Sequence, residues 1–209
     1  MAADRYRPAR VSARVATVRD LPMVTETLAA AFYDDPVWSW AFPDAAHRLE
    51  QHRAVWGLIL ESLLEHHWVW LTEGGGAASM WVPPGRTELG PEDERRLEEL
   101  LDELLGDGAA RVSETFLRFE AAHPRERDHY YLSLLGTHPD HRGDGLGMGL
   151  LADNLSGIDA EGAPAFLESS NPANDHRYER LDFVRCGSFE LGEDGPSVAQ
   201  MWREPRQVG

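Results

Sequence analysis

The chain has 209 residues, of which 42% are hydrophobic, and a formal net charge of −16. This length fits one domain with a sizeable hydrophobic core. So acidic a surface repels nucleic acid and anionic membranes, and we expect neither as a partner; the charge either favours a cationic partner or simply keeps the protein soluble.

Cysteine content and hydropathy bear on the compartment. Cys186 is the single cysteine, so no internal disulfide can form, which fits a reducing environment. The N-terminal residues include arginines but no apolar core of signal-peptide length. No uninterrupted run of about 18 apolar residues occurs that could form a spanning helix. We therefore expect a cytoplasmic protein, either a monomer or a homodimer.

The first half of the chain predicts helices around a pair of strands. Residues 1–13 are interpreted as a flexible arm, and residues 14–204 as a single domain. Apolar residues at helical spacing follow Asp20 and Asp44, each of which is a candidate N-cap. The predicted elements are a strand at 14–19, helices from 20 to about 34 and from 44 to about 66, strands at 68–72 and 77–82, and helices at 91–105 and 109–121.

The second half alternates strands and helices. Strands are predicted at 129–135 and 165–169, helices at 145–158 and 173–181, and a final antiparallel pair at 183–191 and 197–202. This order of elements predicts an α/β (α+β) domain, in which a mixed sheet is flanked by helices.

The most informative stretch is residues 137–149, which read THPDHRGDGLGMG. Glycines occur at every second position, at Gly143, Gly145, Gly147 and Gly149. A strand that leads through a glycine-rich turn into a helix leaves several backbone N–H groups directed at one point, which suits a phosphate. Arg142 adds a positive charge. We therefore predict an anion site at this turn.

Two common phosphate-binding loops do not match this stretch. A Walker loop requires a lysine, and the chain contains none. A dinucleotide fingerprint requires glycine at the sixth position, where Met148 or Leu150 stands here.

The segment from Arg142 to Gly147, preceded by His138-Pro139-Asp140, resembles the (Q/R)-x-x-G-x-(G/A) motif of the GNAT acetyltransferase superfamily. Residues 166–183 (FLESSNPANDHRYERLDF) resemble the strand and helix that follow in that family, and most of residues 14–204 resemble its puromycin N-acetyltransferase-like group. The chain departs from the family pattern at Arg177, at Asp182 and in the helices of residues 44–121. The resemblance implies a mostly antiparallel sheet whose two central strands splay into a V, with acetyl-CoA as co-substrate.

The resemblance also implies which residues bind the donor. Backbone groups near a bulge at residues 135–137, where Gly136 permits the bend, hold the acyl carbonyl and the pantetheine arm. The glycine-rich turn holds the pyrophosphate, and two asparagines after the next strand contact the cofactor. The expected set is Leu135, Thr137, Arg142, Gly143, Asp144, Gly145, Leu146, Gly147, Asn171 and Asn174.

Two residues are candidates for proton transfer. By the resemblance, Tyr178 is the general acid that protonates the departing thiolate. The strand before the loop carries no carboxylate, which leaves Glu168 on the next strand as the best candidate for the base, acting directly or through water. Glu168 is equally well explained as a strand glutamate paired with an arginine, His129 and Tyr130 are weaker candidates for the base, and a neutral amine needs no base.

The corner after the first helix is expected to border the acceptor site. Asp34 or Asp35 can hold an ammonium group, and Phe32 and Trp38 can pack on the acceptor; the alternative is a helix end with core aromatics. No metal site is expected, because the adjacent pair His66–His67 lacks a third ligand.

Taken together, the sequence predicts an acetyl-CoA-dependent N-acetyltransferase. It would act on a primary amine of a small molecule, such as an antibiotic-like compound or a biosynthetic intermediate, by direct attack in a ternary complex. The alternatives are a protein or peptide N-acetyltransferase and a non-catalytic acyl-CoA-binding module.

Overall fold

The computed structural model describes residues 6–192 and 194–206, so the first five residues of the expected arm lie outside the described part. The strands within it are β1 (Ala13–Val15), β2 (Val69–Thr72), β3 (Ala77–Val82), β4 (Tyr130–Thr137), β5 (Ala165–Ser169), β6 (Val184–Glu190) and β7 (Ser197–Arg203). The helices are α1 (Leu21–Ala31), α2 (Pro36–Ala41), α3 (Arg48–Leu64), α4 (Pro91–Leu105), α5 (Ala109–Ala122), α6 (Leu146–Ala160) and α7 (Asp175–Glu179).

The strands form one seven-stranded sheet in the order β1-β2-β3-β4-β5-β7-β6. Neighbouring strands are antiparallel except for β4 and β5, which run parallel. The chain passes from β4 to β5 through α6, as a parallel connection requires. The predicted mixed, mostly antiparallel sheet is confirmed.

The two central strands separate partway along their length. β4 pairs with β5 only from Tyr130 to Leu132, opposite residues 165–167, although both strands continue. Beyond Leu132, β4 is paired on its β3 side alone. The backbone groups of β4 that face β5 there have no strand partner, and this opening is the predicted V.

Apolar side chains cover both faces of the sheet. Helices α1 to α5 enclose one buried cluster, which includes Leu28, Trp56 and Met80. Helix α6 covers the other face, where Leu151 and Leu155 belong to a second cluster. The amphipathic patterns of the sequence therefore bury their apolar sides against a common sheet.

A bulge in β4 exchanges which face its side chains contact. Met80 pairs with Leu134 and Trp81 with Leu132, so Ser133 is an extra residue in the ladder. Leu132 consequently lies in the α6 cluster, whereas Leu134, two residues later, lies in the cluster of α1 to α5.

The predicted bulge at residues 135–137 was therefore misplaced. Gly136 is required for a different reason, since a Cβ built on it would lie 2.7 Å from the Cβ of Ala31. The absent side chain lets α1 lie directly on the end of β4, which fixes the first helix beside the V.

Asp20 occupies the predicted N-cap position of α1, but its side chain does not cap that helix. Its carboxylate accepts hydrogen bonds from the Thr17 N–H at 2.9 Å and the Thr17 hydroxyl at 2.8 Å, and it pairs with Arg14 at 2.6 Å. The single turn that precedes α1 accordingly starts at Thr17, with Asp20 at its third position.

A buried amide attaches α6 to the sheet. Asn154 is 2% exposed, and its Oδ1 accepts hydrogen bonds from the Ser79 hydroxyl at 2.7 Å and the Trp81 indole N–H at 3.0 Å. These bonds orient α6, whose N-terminus forms the predicted anion site.

None of the helices in the described ranges is long and apolar enough to cross a membrane.

Candidate active site

The glycine-rich turn folds as an open end of α6. Gly143 and Gly145 have φ values of 99° and 76°, a left-handed conformation that side chains disfavour. The first bond of the helix runs from the Gly149 N–H to the Gly145 carbonyl at 2.9 Å. The N–H groups of residues 146–148 precede it and have no helical partner. They can donate to an anion at the positive end of the helix.

Close packing fixes this end of the helix. A Cβ built on Gly147 would lie 2.5 Å from the Thr137 hydroxyl oxygen at the end of β4. A Cβ on Gly149 would lie 2.5 Å from a methyl carbon of Val11 and 2.6 Å from the Ala9 carbonyl oxygen. Part of the expected flexible arm therefore lies against α6.

The charged residues of the turn are exposed. A terminal nitrogen of Arg142 donates to the Ala31 carbonyl at 3.1 Å, which places the guanidinium at the end of α1 beside the turn. The Asp144 carboxylate lies 3.5 Å from Nδ1 of His141. Leu146 and Gly147 form the first turn of α6. The turn therefore offers backbone N–H groups and the Arg142 guanidinium to an anion.

The expected contacts to the rest of the donor lie along the V. Leu135 and Thr137 are on the part of β4 that has lost its β5 partner. Asn171 and Asn174 follow β5 on the opposite side. The Asn171 Oδ1 accepts from the Ala173 N–H at 3.0 Å, and the Asn174 N–H donates to the Asn171 carbonyl at 2.8 Å.

Tyr178 and Glu168 line the same cavity, which has a volume of about 710 Å³. Phe32 and Trp38 line it as well, as do Leu134 and Leu135 of β4. The cavity therefore extends from the V to the aromatic side chains of α2, α3 and α5. Its volume is in the range of small-molecule sites.

The Tyr178 hydroxyl makes no hydrogen bond to the described residues, and the ring packs edge-on against Phe183. Burial raises the pKa of Tyr178, and the negative charges of Asp35 and Asp175 raise it further. The phenol therefore stays protonated at neutral pH, so its O–H can be donated to a neighbouring atom.

Glu168 is a buried carboxyl group without a partner. Neither of its oxygens has a hydrogen-bond partner among the described residues. Burial is the largest cause that raises the pKa of Glu168, to about 8. The nearby Tyr131 hydroxyl lowers the pKa of Glu168, whereas the negative charges of Glu88 and Glu120 raise it further. A carboxyl group with a pKa near neutrality is suited to accept a proton.

The residues expected at the acceptor corner divide into two kinds. Trp38 is 5% exposed, contacts Trp56 edge-on at 4.6 Å and lies nearly parallel to Phe119 at 5.9 Å, so much of its surface is core. Asp34 is exposed and Asp35 is buried, and neither is among the residues that line the cavity.

Asp35 has a structural task at this corner. Its Oδ1 accepts the Val37 and Trp38 N–H groups at 3.0 and 3.3 Å, which caps α2. Its Oδ2 accepts the Ser170 hydroxyl at 2.7 Å, which ties the corner to the loop before Tyr178.

Three polar residues at this site were not predicted from the sequence. Ser170 binds Asp35, and Ser133 donates to the Glu88 carboxylate. Glu88 stands in the irregular segment between β3 and α4, where no periodicity indicates which way a side chain points. Burial raises the pKa of Glu88. The His66–His67 pair joins no metal-binding group among the described residues.

No protein-family model matches the chain. An uncharacterised N-acetyltransferase of Schizosaccharomyces pombe is 27% identical over 212 residues, with 93% of this chain and 84% of that protein covered. A crystal structure from Corynebacterium glutamicum, described as histone acetyltransferase HPA2 and related acetyltransferase, superposes with a TM-score of 0.64. It shares 23% identity and covers 95% of this chain and 98% of that one.

A Drosophila melanogaster polyamine N-acetyltransferase, which forms N-acetylagmatine, superposes with a TM-score of 0.60 at 15% identity. The match covers 93% of this chain and 99% of that one. Two features of the structure, the splayed parallel pair β4–β5 and the open N-terminal end of α6, agree with the similarity to these acetyltransferases. The chain therefore has the fold of the GNAT N-acetyltransferases, and over most of its length its sequence is similar to that of an N-acetyltransferase.

Proposed function

We propose that the chain is an acetyl-CoA-dependent N-acetyltransferase that acts on a primary amine of a small molecule. The observation that carries this proposal is the unpaired length of β4. It runs from the predicted anion site at α6 to the cavity that holds Tyr178 and Glu168, so a donor bound along β4 would meet an acceptor bound in the cavity. Holding two reactants in one groove supplies much of the acceleration in such a transfer.

The donor would lie along the V. The N–H groups of residues 146–148 and the Arg142 guanidinium would hold the pyrophosphate, and the backbone near Leu135 and Thr137 would hold the pantetheine arm. Asn171 and Asn174 stand across the opening from β4. This arrangement leaves the thioester near the cavity, where Tyr178 is in reach.

The transfer is a direct attack. Glu168 removes a proton from the ammonium group, directly or through water, and the neutral nitrogen attacks the thioester carbonyl carbon. The new C–N bond forms as the C–S bond breaks, and Tyr178 donates its O–H to the departing sulfur. Because a tyrosine is a weaker acid than a thiol, the phenol acts mainly as a hydrogen-bond donor, and the second proton that the nitrogen loses as the amide forms passes through solvent to the thiolate or replaces the proton of the phenol.

Support for a small amine comes from the relatives and from the cavity. The Drosophila neighbour forms N-acetylagmatine, and the cavity has the size of a small-molecule site. The Corynebacterium neighbour is described as a histone acetyltransferase, which favours a protein or peptide acceptor as the second candidate. An antibiotic-like acceptor, as in the puromycin N-acetyltransferase-like group, remains part of the proposal.

Titration calorimetry with acetyl-CoA tests the donor, and thiol release from acetyl-CoA over matched panels of small amines and peptides tests the reaction. We expect acetyl-CoA to bind and at least one small amine to be acetylated faster than every peptide. Binding without thiol release by any amine or peptide would favour a non-catalytic acyl-CoA-binding module. Absence of binding would overturn the proposal at its first step.

A further inference from the structure

The cavity that holds Glu168 carries more carboxyl groups than one proton transfer requires. Glu88 and Glu120 line the same cavity. Glu88 is half-buried and accepts a hydrogen bond from the Ser133 hydroxyl, while Glu120 is exposed on the last turns of α5. The negative charges of Glu88 and Glu120 both raise the pKa of Glu168.

No cationic side chain of the described residues pairs with the two inner carboxyl groups. Three arginines line the cavity: Arg125 pairs with Glu120, Arg127 pairs with Glu204 outside the cavity at 2.6 Å, and Arg86 forms no ion pair within the described residues. Among the described residues, no arginine or histidine forms an ion pair with Glu88 or Glu168. Both oxygens of Glu168 are buried and lack any hydrogen-bond partner.

Removing a carboxylate from water without pairing it with a cation raises its free energy, and burial accordingly raises the pKa of both Glu88 and Glu168. A ligand that brings one ammonium group satisfies one of them. A ligand that brings two satisfies both, and each ionised carboxylate then gains a charge-assisted hydrogen bond. A small peptide N-terminus or a simple monoamine leaves one inner carboxyl group unmatched.

Resting on the proposed function, we propose that the acceptor is a small aliphatic diamine or polyamine. One amino group lies at Glu168, where it is acetylated. The second, still protonated, is held by Glu88, which the Ser133 hydroxyl orients. The specificity of the reaction therefore depends on the bulge in β4, because the bulge is what presents Ser133.

The test compares α,ω-diamines of several chain lengths with monoamines of the same lengths, at one pH and one salt concentration. For the best length, we expect kcat/KM for the diamine to exceed that for the monoamine by about tenfold or more, as expected for one additional buried charge contact. In Glu88→Gln the preference should fall to about twofold or less. Glu99→Gln, an exposed glutamate of α4 outside the cavity, is the matched control and should keep the preference.

A binding measurement separates this inference from the proposed function. Calorimetry with CoA present should show that the best diamine binds about tenfold more tightly than its monoamine, whether or not either is acetylated. Equal kcat/KM values for diamines and monoamines would overturn the inference while leaving an acetyltransferase. Tighter diamine binding without acetylation of any amine would support the diamine site at Glu88 and Glu168 but overturn the proposed function. Peptides acetylated faster than every diamine would also overturn the inference, and a Glu88→Gln variant that keeps the preference would do the same.

Discussion

Glu168→Gln is the substitution that addresses the chemistry most directly. It keeps the size of the side chain and removes only the group that accepts the proton. Because both carboxyl oxygens are buried and unpartnered, the amide leaves no ion pair broken within the described residues. We expect kcat/KM for the best amine to fall about 100-fold, within the range for loss of a general base, while acetyl-CoA affinity changes by less than about twofold.

The pKa of Glu168 sets the expected pH dependence. With a pKa of about 8, about a tenth of the group is ionised at pH 7 and about nine-tenths at pH 9. The wild-type protein should therefore gain about tenfold in the contribution of the base between these pH values. The increase should be centred near the pKa of the free enzyme, since kcat/KM reports that state.

The assay must separate the enzyme's titration from that of the amine. Thiol release is measured from pH 6.5 to 9.5 for wild type and Glu168→Gln, and the ratio of the two kcat/KM values is plotted. The variant lacks the base and uses only amine that is already neutral, so the pKa of the amine is measured separately, and the ratio is expected to change near the pKa of Glu168. Glu190→Gln, an exposed glutamate of β6, is the matched control and should follow the wild-type profile.

A flat ratio across this pH range, or a Glu168→Gln variant as active as wild type, would refute the role of Glu168 as the base. Stability gives a second readout. The folded pKa lies above the ordinary value near 4.5, so the folded state holds a proton that the unfolded state has lost. Stability should fall as the pH rises from about 4.5 to about 8, by on the order of 2 kcal/mol or more, and this loss should shrink in Glu168→Gln.

Three other substitutions test the remaining parts of the account. Tyr178→Phe should lower kcat by about tenfold or more while the dissociation constant for acetyl-CoA stays within about twofold, and equal loss in both would contradict its role. Gly147→Val should weaken acetyl-CoA binding in calorimetry by about tenfold or more, because the new side chain meets Thr137, whereas Gly57→Ala in mid-helix should bind normally. Asn154→Leu should lower the free energy of unfolding in urea by about 1–3 kcal/mol, because it orphans the indole N–H of Trp81; an unchanged midpoint would contradict that.

Local signals in the sequence predicted much of the fold. Pro91 and Gly106 mark the ends of α4, and β5 spans the predicted residues 165–169. The turn before α6 was predicted because a run of alternating glycines has few other uses. These features depend on neighbours in the chain, which a single sequence displays.

The predictions that were wrong or missing concern residues whose role depends on contacts with segments far away in the sequence. Gly136 looks like a bulge residue until α1 is seen packed on it, and the real bulge at Ser133 is fixed by pairing with β3. Glu88 lies in an irregular segment, and its role becomes visible only through the bulge, where the Ser133 hydroxyl donates a hydrogen bond to its carboxylate. Asp35 could not be recognised as a cap of α2, because the helix is only six residues long.

The central claim is that an acetyl group passes from acetyl-CoA directly to a small amine. Acetyl-CoA that carries an isotopic label in the acetyl group tests it, with the label followed in the amine, the protein and the remaining thioester. We predict that the label moves to the amine when the amine is present and never accumulates on the protein. Label that stays in the thioester with every amine, or that appears on the protein before any acceptor is added, would contradict the account.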